Sequence, residues 1–144
     1  METPIVKDAQ PAPPPPVGEP TPSLLERAGG AAGVGTLVNR FYDLMESQPE
    51  YAELRALHQP DLRLTRISLT DFLTAWLGGP RTWFETRPGV CIMSMHRSMA
   101  MSRETAAQWV HAMSRAMAEC GIEPALARQM QQAFLRMANG MLAR

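Results

Sequence analysis

Apolar side chains recur along this chain at i, i+3, i+4 and i+7, and glycine or proline interrupts each run. That spacing builds one buried face on a helix and cannot be satisfied by a strand, so it constrains the fold more than any other feature. Val34, Leu37, Val38, Phe41, Tyr42 and Met45 line one side of a helix predicted over about residues 34–47, which Pro49 ends. A second helix spans about residues 61–77, with Ile67, Leu69, Phe72, Leu73, Trp76 and Leu77 as its stripe. Gly78-Gly79-Pro80 then forms the strongest stop in the chain. Ser102 caps a third helix reaching Cys120, with Glu104 in its first turn and Trp109, Met113, Ala116 and Cys120 on one face. Pro124 opens a fourth that runs to about Leu142 and presents Leu126, Met130, Phe134 and Met137.

Shorter pieces connect these helices. Ser23 caps Leu24 to Ala28, which Gly29-Gly30 stops, and a helical turn over Tyr51 to Leu57 is broken by His58-Gln59-Pro60. Thr82 to Gly89 reads as an irregular link. The apolar stretch from Val90 to Met101, which contains His96, is too short and uneven for a long helix. No alternating β-branched run and no Asn-Gly or Asp-Gly hairpin signal occurs, so the expected class is all-α.

Residues 1–21 stand apart. Proline dominates them, with four in a row at Pro13 to Pro16, and large apolar residues are nearly absent. Such a segment cannot offset its ordering entropy by burial, so it is expected to be an extended or disordered tail. The globular domain is then residues 22–144, roughly 120 residues, enough for one core.

Charge excludes several functions. Fourteen basic residues balance fourteen acidic ones, which removes the positive field that nucleic-acid binding needs. No run of about 20 apolar residues spans a membrane. The N-terminus has no charged region followed by an apolar one, and Cys91 and Cys120 form no disulfide framework. A cytoplasmic protein with reduced thiols is the expectation. The eleven methionines fit a plastic core or a cavity shaped to a large flat ligand.

The chain shows no nucleophile elbow, no phosphate-cradling glycine loop between strand and helix, no HExxH and no Cys/His cluster. Three histidines and a few polar aromatics remain. His96 lies among apolar side chains, where an imidazole must be desolvated, bonded or coordinated. Desolvation favours its neutral, metal-donating form. A lone histidine cannot build an all-protein zinc site, whereas it can complete a porphyrin-held iron. A satisfied core or surface histidine is the plainer alternative. Tyr42 lies on the apolar face of its helix, so its hydroxyl points inward and needs a partner. The Trp109 indole N–H is in the same position. Taken alone, each reads more plainly as a core residue. His111 falls about 200° round the helix from Trp109 and reads as solvated, with no role.

Phe41-Tyr42-Asp43-Leu44-Met45, Leu54-Arg55-Ala56-Leu57-His58, Phe72 to Pro80, His96 and Trp109 occur in that order. Together with the glycine pairs at Gly29-Gly30 and Gly78-Gly79, they resemble the group II truncated haemoglobins over about Ser23 to Arg144. The Trp-Leu-Gly-Gly-Pro run and the spacing from His96 to Trp109 are the specific parts. The resemblance implies a two-over-two helical sandwich around one haem b. It makes His96 the proximal iron ligand and places Tyr42, His58 and Trp109 on the distal side as donors to a bound ligand. Thr65, Leu69 and Phe72 then line the haem-facing side of the distal helix.

It also implies a diatomic gas ligand, with oxygen binding or redox handling of nitric oxide or peroxide. A reductase would be a further partner, and the chain a monomer or weak dimer. A peroxidase-like activity needs a distal acid–base residue, for which His58 is the candidate. The segment before His96 departs from the family, with methionines where arginines usually pair with the haem propionates. That departure favours a second reading, a helical sensor or interaction domain with weak or no haem binding whose proline-rich tail docks a partner.

Overall fold

The computed structural model describes residues 22–89 and 101–142. Its helices are α1 (Leu24–Arg27), α2 (Gly30–Ser47), α3 (Ala52–Ala56), α4 (Arg63–Trp76), α5 (Thr82–Thr86), α6 (Arg103–Glu119) and α7 (Pro124–Gly140), with a 3-10 turn at Pro49–Tyr51 before α3. Two pairs of long helices, α2 with α4 and α6 with α7, join through α2 packed on α6. This is the expected all-α, two-over-two arrangement. The segment that carries His96 and Cys91, the proline-rich residues 1–21 and the last two residues lie outside the described residues.

Both serines read as caps close reciprocal boxes. Ser23 Oγ accepts the Glu26 N–H at 3.1 Å, while the Glu26 carboxylate accepts the Ser23 N–H at 2.8 Å. Ser102 and Thr105 repeat the exchange at 3.1 and 2.9 Å. Each box satisfies donors that a bare helix start leaves open.

The glycine motifs act through space as well as through turns. Gly78 has φ 102°, a left-handed conformation that ends α4. A Cβ on Gly79 would lie 2.7 Å from Leu25 Cδ2 and 2.9 Å from the Thr74 carbonyl oxygen. Only glycine lets α1 close over the end of α4 there. Gly33 is tighter, since its Cβ would sit 2.3 Å from the Ala28 carbonyl oxygen.

Several expectations need correction. Helix α2 begins at Gly30 rather than near Val34, because the chain turns at Gly29 (φ 96°) and the following alanines already favour helix. Ile67, expected on the buried stripe of α4, is 57% exposed. It lies five residues before Phe72, about 140° away round the helix, and Phe72 and Leu73 set the buried side. Thr82–Thr86 is a helix and not an irregular link. Its anchor is Trp83, which is 2% exposed, donates its indole N–H to Ser68 Oγ at 3.1 Å and packs edge-on against Phe72. His111 is exposed as expected, yet it has a role: its Nδ1 is hydrogen-bonded to the buried Tyr51 hydroxyl at 2.7 Å and ties α6 to the 3-10 turn.

Methionine supplies much of the core. Met45, Met101, Met113, Met117, Met130 and Met141 are all buried. Their flexible side chains fill the irregular space between short helices.

Candidate functional site

Tyr42 is the centre of the site. It is carried by α2 on the same turn as Phe41 and Met45, so the stripe that builds the core also turns its ring inward, and it is 3% exposed. Phe41 meets it edge-on at 4.8 Å between ring centroids, and the other side of Phe41 meets Trp109 at 5.1 Å. Trp109 in turn packs on Phe134, which stacks with Trp76. His58, just beyond α3, presents its ring to Tyr42 at 5.8 Å and 80°. Three of the predicted residues, from three elements, therefore share one aromatic cluster.

The electrostatics leave two donors in reserve. Among the described residues, neither the Tyr42 hydroxyl nor the Trp109 indole N–H has a hydrogen-bond acceptor. Burial pushes the Tyr42 hydroxyl well above the ordinary tyrosine range, against a smaller opposing pull from Arg66. The group therefore keeps its proton and remains a donor. The Arg66 guanidinium stands 5.6 Å from the centre of the Tyr42 ring. It also holds the Asn39 carbonyl, Asp43 and Glu46, each at 3.0 Å, which fastens α4 across α2.

His58 also makes a backbone contact. Its Nδ1 lies 2.9 Å from the Leu54 carbonyl oxygen, so that N–H is already engaged. Phe72 is buried but belongs to a neighbouring group, with Trp83 at 5.3 Å and Phe84 at 5.9 Å. Leu69 is half-buried against the core, and Thr65 is half-buried on α4. His96 lies outside the described residues. Sequence reasoning missed Arg66 and Trp83. Arg66 carries no local signal, whereas a tryptophan inside a polar link was a signal that could have been read.

The residues present fit a haem. Two donors with no acceptor of their own, in an aromatic apolar setting, suit a flat hydrophobic cofactor that brings an electron-rich ligand with it. Among the described residues no group of His, Cys, Asp and Glu could hold a metal ion by itself.

Two stacked helix pairs around such a cluster define a truncated globin. The family model of the bacterial-like globins matches residues 23–143. A group II 2-on-2 hemoglobin from Agrobacterium tumefaciens is 34% identical with a TM-score of 0.79, covering 88% of this chain and 98% of that one. A cold-adapted truncated hemoglobin from Pseudoalteromonas haloplanktis TAC125 is 26% identical with a TM-score of 0.81, over 85% and 99% of the two chains. The group 2 truncated hemoglobin YjbI of Bacillus subtilis (strain 168) is 31% identical over 87 residues, 60% of this chain. That match spans 64% of the relative's length, less than two thirds. The chain belongs to the bacterial-like globin family, in its group II truncated haemoglobin branch. Haem b is the cofactor of that family. No helix among the described residues is long and apolar enough to cross a membrane.

Proposed function

We propose that this globin binds haem b through His96 and holds oxygen or another diatomic ligand between Tyr42 and Trp109. The observation that carries this reading is the pair of donors without acceptors, brought together through Phe41. When bound, haem would supply the iron that takes up such a ligand, with His96 as the residue that would hold it. Tyr42 and Trp109 then donate to a ligand that has gained partial negative charge, and they favour it over neutral carbon monoxide. Each hydrogen bond to a charged group is worth about 1.5–3 kcal/mol, so two of them slow release by orders of magnitude. Thr65, Leu69 and Phe72 line the distal side of α4 in this reading.

Slow release suits storage, sensing, or redox handling of nitric oxide or peroxide better than delivery. Redox turnover requires a reductase as partner. A cytoplasmic location and a monomer or weak dimer complete the reading, with residues 1–21 a tail outside the globin domain.

Trp109→Phe tests the donor role directly. It keeps the contacts of an aromatic ring but removes the N–H. Stopped-flow measurement is expected to show oxygen dissociation about tenfold faster. Carbon monoxide release is expected to change by less than about threefold. An unchanged oxygen rate takes Trp109 out of the ligand shell.

A further inference from the structure

Arg66 reaches from α4 to one polar stripe of α2. Asn39, Tyr42, Asp43 and Glu46 follow one another at i, i+3, i+4 and i+7, so they share a face of that helix. Arg66 Nη1 donates to the Asn39 carbonyl oxygen at 3.0 Å and to Asn39 Oδ1 at 3.1 Å. Nη2 donates to Asp43 Oδ1 and to Glu46 Oε1, both at 3.0 Å. These bonds fix the plane of the guanidinium, whose carbon lies 5.6 Å from the centre of the Tyr42 ring. The cluster has two sides. Asp43 and Glu46 are 55% and 42% exposed, while the Arg66 side chain is 21% exposed and faces a buried ring. Glu46 also pairs with Arg55 at 3.5 Å.

We propose that Arg66 is a positioning residue that sets the donor strength of the Tyr42 hydroxyl, and that the Asp43 and Glu46 carboxylates trim its charge. The proposal rests on the ligand-binding reading above and deepens it. A cation beside an aromatic ring is attracted to its electron density and polarises it. Positive charge near a phenol favours negative charge on the oxygen, which makes the O–H a stronger donor. The carboxylates act in the opposite sense, so the hydroxyl responds to the balance of charge across the cluster. A partly charged ligand such as oxygen senses that balance through the hydrogen bond, whereas neutral carbon monoxide barely does. A half-exposed charge cluster thereby grades the ligand preference of a buried site.

The signs of two substitutions test it. Asp43→Asn keeps an acceptor of the same shape for Arg66 but removes the negative charge. Oxygen dissociation from the ferrous holoprotein is expected to slow about two- to threefold, the scale of a half-exposed ion pair. Arg66→Met removes the cation and is expected to speed dissociation about two- to fivefold. A purely structural ion pair predicts no slowing in either variant, because each weakens the same link between α2 and α4. Asp43 stands half in solvent, so its replacement leaves the core intact and its sign decides even where Arg66→Met fails to fold. Oxygen release that is faster or unchanged in Asp43→Asn overturns the proposal. So does an equal Asp43→Asn effect on a Tyr42→Phe background, where the hydroxyl that carries the influence is gone. In the full chain labelled with ¹³C at the tyrosine ζ-carbons, the Tyr42 resonance is expected to move in opposite senses in the two variants. A shared sense overturns the proposal as well. A Tyr42→Phe variant that keeps the parent oxygen rate overturns the ligand-binding reading instead, before either charge is changed.

Discussion

Replacing Tyr42 with phenylalanine is expected to raise the oxygen dissociation rate at least about tenfold, the equivalent of one hydrogen bond to a partly charged ligand. The substitution removes one oxygen atom and leaves the ring, with its contacts to Phe41 and His58, in place. The hydroxyl has no acceptor among the described residues, so no internal hydrogen bond is lost with it. Folding stability is therefore expected to stay within about 1 kcal/mol of the parent or rise slightly. This combination separates a ligand-binding hydroxyl from a structural one. A structural hydroxyl would cost stability and leave the oxygen rate alone. Stopped-flow displacement of oxygen and a denaturant titration read the two quantities independently.

The second large effect is structural. Trp83→Ala is expected to lower the unfolding free energy by about 3–5 kcal/mol, the range for deleting a buried aromatic side chain. The ring is almost wholly buried, meets Phe72 at 5.3 Å and Phe84 at 5.1 Å, and lies 5.0 Å below the Arg87 guanidinium carbon. Its loss also strips Ser68 of a bonding partner. Leu64→Ala, at a position 79% exposed on α4, serves as the control. It is expected to change stability by no more than about 0.5 kcal/mol. Urea unfolding of both variants checks the pair, and a Trp83→Ala loss below about 1 kcal/mol contradicts the packing role.

Much of the fold was legible because its signals are local. Stripes such as Val34-Leu37-Val38-Phe41 repeat at the helical period, and serines at residues 23 and 102 sit where a first turn needs an acceptor. Tyr42 was legible as an inward residue because it shares its stripe with Phe41 and Met45. What escaped depends on contacts between distant parts of the chain. The five-residue helix around Trp83 is too short to show a period and is held by Ser68 and Phe72. Ile67 reads as the first member of the α4 stripe, although its angle on the helix turns it outward. The partner of His111 is Tyr51, 60 positions earlier. His58 Nδ1 is hydrogen-bonded to the backbone carbonyl of Leu54, a contact that no side-chain pattern encodes. The site's aromatic residues could thus be nominated from sequence, while the contacts that fix them required three dimensions.

Haem held by His96 is the claim on which the ligand chemistry depends. Hemin titrated into the full chain is expected to saturate at about one haem per chain and to leave an intense absorption band after desalting. His96→Gly is expected to lose that band, and free imidazole to restore it. A wild-type chain that emerges from desalting colourless, or a His96→Gly variant that keeps the same spectrum without imidazole, contradicts it.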